Sequence, residues 1–399
     1  MKTVRLASCL IACSFFATTV RAQWEMQRSG TTAELRGIDN VGAGVAWASG
    51  SQGTVLRTED YGEHWEHCTS PAAGTTFAAD LDFRGVQGLD AKTAIVMASG
   101  RGGLSRLYKT SDGCRTWRLV LANTDKDGYF DALKMTLPLI SMRPGVKQYQ
   151  GRVIGDAVRG KFARYETTDS GEHWTKIGSD QVESPAAEDG EAIFAASNSS
   201  LLYFPNGSEL FVTGGLIGAR SRVIAETIKM GKHTMKYVGG YIPVSSGTED
   251  TGAFSVAIKS EGGGAPHVAP DNKEEVLYVD SGVLVTVGGN DLKPESTKGT
   301  AAFSTDSGVR WTAATTPPHG YRSAVAYDDM TKMWIAVGLN GTDVSVDNGR
   351  DWSALMPGQG DAPDADKNWN ALSLPYVVGP KGRIGVLKTQ SRMLLATGQ

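Results

Sequence analysis

Cysteine and histidine are scarce in this chain, at 4 and 6 of 399 residues. No run of either has the spacing of a metal site, so the reading includes no metal and no cofactor. Beyond the N-terminus no apolar run approaches the length of a membrane span. No glycine-rich phosphate loop and no nucleophile elbow occurs. Charge of one sign is also lacking. Lys and Arg number 40 against 43 Asp and Glu, a net −3. That balance argues against nucleic acid or an anionic membrane as the main partner.

The N-terminus reads as an export signal. Lys2 and Arg5 form a short basic region, residues 6–20 are largely apolar, and Val20-Arg21-Ala22 offers a small-residue cleavage site before Gln23. The expected boundaries are a signal peptide at 1–22 and a single domain at 23–399, periplasmic or extracellular. Leu10-Ile-Ala-Cys13 loosely resembles a lipoprotein acceptor box, placed early in the apolar stretch. Losing Lys2, Arg5 and Arg21 with the signal leaves 37 basic and 43 acidic residues, a net −6. Cys68 and Cys114 remain, and in an exported chain a pair is expected as a disulfide.

What the chain has in abundance is repetition, which identifies an architecture before any other reading. Thr58-Glu-Asp60-Tyr-Gly62-Glu-His-Trp65 is matched by Thr110-Ser-Asp112-Gly-Cys-Arg-Thr-Trp117 and Thr167-Thr-Asp169-Ser-Gly171-Glu-His-Trp174. Ser304-Thr-Asp306-Ser-Gly308-Val-Arg-Trp311 and Ser345-Val-Asp347-Asn-Gly349-Arg-Asp-Trp352 complete the set. The pattern is Ser/Thr-x-Asp-x-Gly-x-x-Trp, broken where Cys114 takes the Gly slot and Gly113 sits one place early. A tight turn explains each position. Asp and the hydroxyl accept backbone N–H groups, Gly permits a left-handed backbone, and Trp anchors the layers. Acid catalysis or Ca²⁺ binding by these aspartates is the other reading; turn architecture is preferred because all five recur.

Two further repeats surround the turns. Seven segments place a bulky residue first: Leu35-Arg36-Gly37, Phe83-Arg84-Gly85, Phe130-Asp131-Ala132, Phe194-Ala195-Ala196, Phe254-Ser255-Val256, Tyr321-Arg322-Ser323 and Trp369-Asn370-Ala371. Each is followed by an apolar strand ending in Gly, such as Val283-Leu-Val-Thr-Val-Gly288 or Trp334-Ile-Ala-Val-Gly338. Short β-rich runs with regular turns and 49 glycines predict an all-β, seven-bladed propeller of four-stranded antiparallel blades. Blade 4 has lost its turn motif, and residues 260–275 read as an exposed loop in blade 5. No turn motif follows Lys388, while Trp24 heads a spare strand. The N-terminal strand is therefore expected to complete blade 7 and remove a sheet edge. Cys68 would begin the outer strand of blade 1 and Cys114 the turn of blade 2, which predicts their disulfide.

The turns resemble the Asp box, or BNR repeat, of secreted β-propellers, a group including sialidases and Ycf48-like photosystem assembly factors. The Ycf48-like resemblance covers nearly the whole mature chain, with seven blades and Val-Gly strand ends alternating with Asp boxes. It implies a binding or assembly module without chemistry. The sialidase resemblance implies three carboxylate-binding arginines and a Tyr/Glu pair. Here Tyr321 lies beside Arg322, but no Arg-Ile-Pro segment occurs.

Function on a propeller lives in loops around the channel mouth. The second position of each inner-strand repeat lies near that mouth and reads Arg36, Arg84, Asp131, Ala195, Ser255, Arg322 and Asn370. Arginine suits planar carboxylate or phosphate recognition. Arg36, Arg84, Arg322 and Asn370 are therefore the candidate binding set, for an unidentified protein or anionic ligand. The alternative is an internally paired polar plug. Asp131, Asp156 and Glu191 are the candidate carboxylates for a rival glycoside hydrolase, which needs two at a defined separation.

Overall fold

The computed structural model describes residues 21–22, 24–139, 145–178, 184–229, 232–260, 266–268, 276–278, 282–358 and 361–387. Most of the expected export signal, with Cys13, lies outside them, as does much of the blade 5 insertion.

Seven four-stranded antiparallel blades form a propeller, their strands lettered a to d from the channel outward, and the sheets of blades 4 and 5 each carry two further short strands. Blade 1 comprises Leu35–Gly42, Val45–Gly50, Val55–Thr58 and Glu66–His67. Blade 2 comprises Phe83–Gly88, Ala94–Ala98, Arg106–Thr110 and Arg118–Ala122, and blade 3 Phe130–Thr136, Gln150–Val158, Lys161–Thr167 and Thr175–Lys176. Blade 4 is Leu201–Tyr203, Glu209–Val212, Ser221–Lys229 and Lys232–Val238; blade 5 is Thr251–Ser260, Gly282–Asn290, Ala301–Ser304 and Thr312–Ala313. Blade 6 is Ala324–Asp328, Met333–Gly338, Gly341–Ser345 and Ser353–Ala354. Blade 7 joins Ala371–Ser373, Tyr376–Val378 and Ile384–Leu387 to Trp24–Gln27 from the N-terminus. Trp24 pairs with Leu387 and Gln27 with Ile384, so the ring is closed by its two ends.

The core lies between blades. Buried apolar clusters fill the spaces between neighbours, for example Trp47, Phe83 and Val96 between blades 1 and 2, and Trp24, Trp369 and Ile335 between blades 6 and 7. This is why strands such as Ala94–Ala98 and Met333–Gly338 read as short apolar runs, covered on both faces by neighbouring sheets, while outer strands such as Glu66–His67 and Thr175–Lys176 are exposed. No helix among the described residues is long and apolar enough to cross a membrane.

The five repeat turns share one hydrogen-bond pattern. The Ser/Thr hydroxyl donates to Asp, at 2.8 Å in Thr58–Asp60 and 2.9 Å in Thr110–Asp112, and the fifth-slot N–H donates back to that hydroxyl. Asp then accepts the N–H four residues on, at 3.0 Å from His64 and 2.8 Å from Arg310. Both central slots are left-handed. Tyr61 and Gly62 have φ of 65° and 87°, Gly113 and Cys114 73° and 63°. A glycine therefore serves in either slot, which accounts for the inverted order in blade 2.

The fifth slot also packs against the preceding blade. A Cβ at Gly171 would lie 2.3 Å from Ile95, at Gly308 2.5 Å from Leu210, and at Gly349 2.7 Å from Val285. Blade 2 puts Cys114 there and bonds it to Cys68 of blade 1, with Cα atoms 5.2 Å apart. Trp65 and Trp352 are buried, while Trp117, Trp174 and Trp311 are partly so.

Two sequence expectations are corrected here. Residues 194–197 do not form the inner strand of blade 4; that strand is Leu201–Tyr203. The blade 5 insertion is not simply a loop. Pro266–Val268 pairs with Val276–Tyr278, which in turn pairs with strand c of blade 4.

Candidate functional site

The starts of the repeats meet around the channel mouth, where Phe194, Phe254 and Tyr321 from the first position and Arg36, Arg84 and Asn370 from the second line one cavity. A polar cavity of about 190 Å³ opens there, lined by Arg36, Arg84, Asn370, Asp291, Tyr321 and the Phe194–Phe254 pair. Three of the four candidate binding residues meet at this cavity; Arg322 does not.

Arg36 and Arg84 come from adjacent blades and converge on one carboxylate. Asp82 Oδ2 is 2.8 Å from Arg84 Nε and 3.4 Å from Arg36 Nε. Among the described residues no other carboxylate lies within ion-pair distance of either. Arg84 also donates to Ala195 O at 3.3 Å. Burial opposes the Arg84 charge, but Tyr129, Asp82 and Asp131 outweigh it and hold its pKa above the ordinary range. Both arginine side chains remain about a quarter exposed, at 29% and 26%. Two guanidinium groups sharing one carboxylate leave a cation to offer. Asn370 contributes less, because its amide donates to Leu35 O at 2.8 Å.

Arg322 corrects the expected ring. Its side chain is 1% exposed and its partner Asp343 is 0%. Nε donates to Asp343 Oδ2 at 2.7 Å, and Nη1 donates to Tyr321 O at 2.8 Å and Asn340 Oδ1 at 2.5 Å. His319 Nδ1 lies 2.6 Å from the other Asp343 oxygen. Arg322 is thus spent on internal pairing. Asp343 sits mid-strand in blade 6, and no repeat pattern in the sequence singled it out.

The three candidate carboxylates divide in the same way. Glu191 is enclosed: Arg222 donates through Nε at 3.0 Å and through Nη2 at 2.5 Å, and Thr213 Oγ1 donates at 2.8 Å. Its lone pairs are occupied, which leaves it unfit as a nucleophile or base. Asp131 is 1% exposed, with Oδ2 buried and unpartnered. Burial, and after it the charge of Asp156, pushes its pKa well above the carboxylate range. Asp156 is raised by burial too and accepts the Ile193 N–H at 3.0 Å. Asp131 and Asp156 thus lie together, but Asp131 is closed to any substrate and neither residue lines the mouth cavity.

The turn aspartates are engaged as well. Their pKa values fall to about 2 at Asp60, led by the His64 backbone N–H, and at Asp112, led by the Thr116 hydroxyl. Asp60, Glu63 and His64 do place ligand atoms within 4.8 Å of one another. His64 Nδ1 is already 2.7 Å from Asp60, as His173 is from Asp169, so the contact is explained as a hydrogen bond across the turn.

No family model matches this chain, and no curated protein matches it. Solved structures do. The chain is similar to YCF48 bound to D1 peptide, at 17% identity and a TM-score of 0.54, covering 93% of this chain and 100% of that one. It is similar to YCF48 from Cyanidioschyzon merolae at 15% identity and the same TM-score, covering 92% and 100%. At such identity the likeness is one of fold: the chain shares the seven-bladed propeller fold of these structures.

Proposed function

We propose that this propeller is an exported, non-catalytic binding or assembly module whose channel-mouth face holds a partner protein by an anionic group. One observation carries the reading. Arg36 and Arg84, on neighbouring blades and partly exposed at an open cavity, share the single carboxylate of Asp82. A partner carboxylate would take the unmatched guanidinium by charge-assisted hydrogen bonds. The likeness to a YCF48 structure with bound peptide supports a protein partner. The five turns are read as Asp boxes, and the Cys68–Cys114 bridge supports an oxidising periplasmic or extracellular setting. The glycoside-hydrolase alternative draws little support, since Glu191 is enclosed and Asp131 is buried.

The test uses carboxylate-bearing peptides on a surface, with wild type and an Arg36→Ala/Arg84→Ala variant. Binding should weaken as salt rises and should be lost in the variant, while its melting temperature stays nearly unchanged. Binding that survives both changes refutes the arginine contact. Hydrolysis of any glycan in a parallel screen would replace this reading with the enzymatic one.

A further inference from the structure

The mouth cavity is charged on two sides. Asp291 follows strand b of blade 5 and lines the same cavity as the two arginines. Its Oδ1 is buried with no hydrogen-bond partner. Burial, and after it the charge of Asp250, pushes its pKa up. The Tyr321 hydroxyl is raised by burial and by Asp291, and lowered by Arg36 and Arg84, so one ring feels both charge sets. Phe254 lies edge-on to Tyr321 at 4.8 Å between centroids and stacks on Phe194 at 3.9 Å, giving the cavity an aromatic wall.

Charge decides what fits. The charged lining residues are Arg36, Arg84 and Asp291, and Asp82, outside the lining, pairs with both arginines; with all four ionised the site carries no net charge but offers both a cation and an anion. A simple anion small enough to enter would pair with the arginines but would be repelled by the Asp291 carboxylate in the same cavity. A simple cation would do the reverse. An ammonium would find its counter-charge in the Asp291 carboxylate and is also welcomed by an aromatic face. The volume suits a ligand smaller than the drug-sized molecules of typical pockets.

We propose that this cavity binds a zwitterion of the α-amino acid class, with its carboxylate on Arg36 and Arg84, its ammonium on Asp291, and an apolar or aromatic side chain against Phe254 and Tyr321. The proposal rests on the reading of the mouth as a binding site, but not on a protein partner.

Titration calorimetry with L-phenylalanine and L-leucine, their N-acetyl forms and their amides tests it on wild type and on Asp291→Asn. The free amino acids should bind. Blocking the ammonium, blocking the carboxylate or replacing Asp291 should each weaken binding by about tenfold or more, as expected for a lost charge-assisted contact. Equal binding of the N-acetyl forms would overturn the ammonium contact while leaving the carboxylate contact standing. Absence of binding by both free amino acids would overturn the amino-acid site itself. The peptide assay, run on Asp291→Asn, decides the protein-partner reading separately, because that variant keeps both arginines. Should Asp291→Asn melt well below wild type, the blocked analogues on wild type decide alone.

Discussion

Arg84 and Arg322 hold the same place in the repeat, one residue after a bulky aromatic, and their surroundings give them opposite roles. Arg84 shares Asp82 with a second arginine at an open cavity, whereas Arg322 is sealed against the buried Asp343. Sequence revealed the arginines because they recur at a fixed position. It could not reveal which were spent, because Asp343 pairs with Arg322 through the fold and not through spacing. Arg322→Ala should lose about 3–5 kcal/mol, since it strands a buried carboxylate. Urea unfolding checks this, and an unchanged midpoint would contradict the assignment. The turn aspartates bear on acid stability. Asp60, Asp112 and Asp169 have folded pKa values of about 2, against 3.8 for the free side chain. The unfolded chain therefore takes up protons first as pH falls. Their contribution is present above about pH 4 and is lost progressively toward pH 2. Melting temperature should decline across that window, and substituting Asn at all three positions should flatten the decline. An equally steep decline in the triple variant would remove these aspartates as its cause.

At the scale of elements, the turn motif was legible because local chemistry demands it: two left-handed slots, a hydroxyl and an acceptor carboxylate. The meaning of Cys114 was legible only in part. Its slot faces the preceding blade, where its sisters abut Ile95, Leu210 and Val285, so a thiol there meets Cys68. Replacing both cysteines with Ser should lower stability by about 2–4 kcal/mol, and reducing wild type should lower it by the same amount. Calorimetry with and without reductant distinguishes this from mere loss of packing, because the double variant should no longer respond to reductant. Blade 4 resisted reading. Its third and fourth strands run long, Ser221–Lys229 pairing with Lys232–Val238, and they replace the turn motif with a hairpin. The insertion of blade 5 adds strands to its neighbour's sheet, a non-local pairing that the Gly- and Pro-rich sequence of 260–275 does not announce.

For the molecule as a whole, the decisive feature is that a ring of sheets has no natural end. Seven blades hold one another through the apolar layers between them, and an open blade 7 would present an unpaired edge strand. The chain meets this by lending its first strand to its last blade. Trp24 is 1% exposed and lies 6.0 Å from Trp369, in the layer that also contains Val377, Ile335 and Leu387. The sequence carried this closure in two halves, a spare tryptophan at one end and a blade without a turn motif at the other. Trp24→Ala should therefore cost about 3–5 kcal/mol by emptying that layer. Deleting residues 24–27 should cost at least as much, because the ladder to Ile384–Leu387 is lost with the side chain. Both variants should also expose strand c of blade 7 to protease and promote self-association through its bare edge. Limited proteolysis with mapping of the first cuts separates ring closure from general destabilisation. Closure places the first cuts in residues 371–387, whereas first cuts scattered among the other six blades would show that the N-terminal strand is not what holds the ring shut.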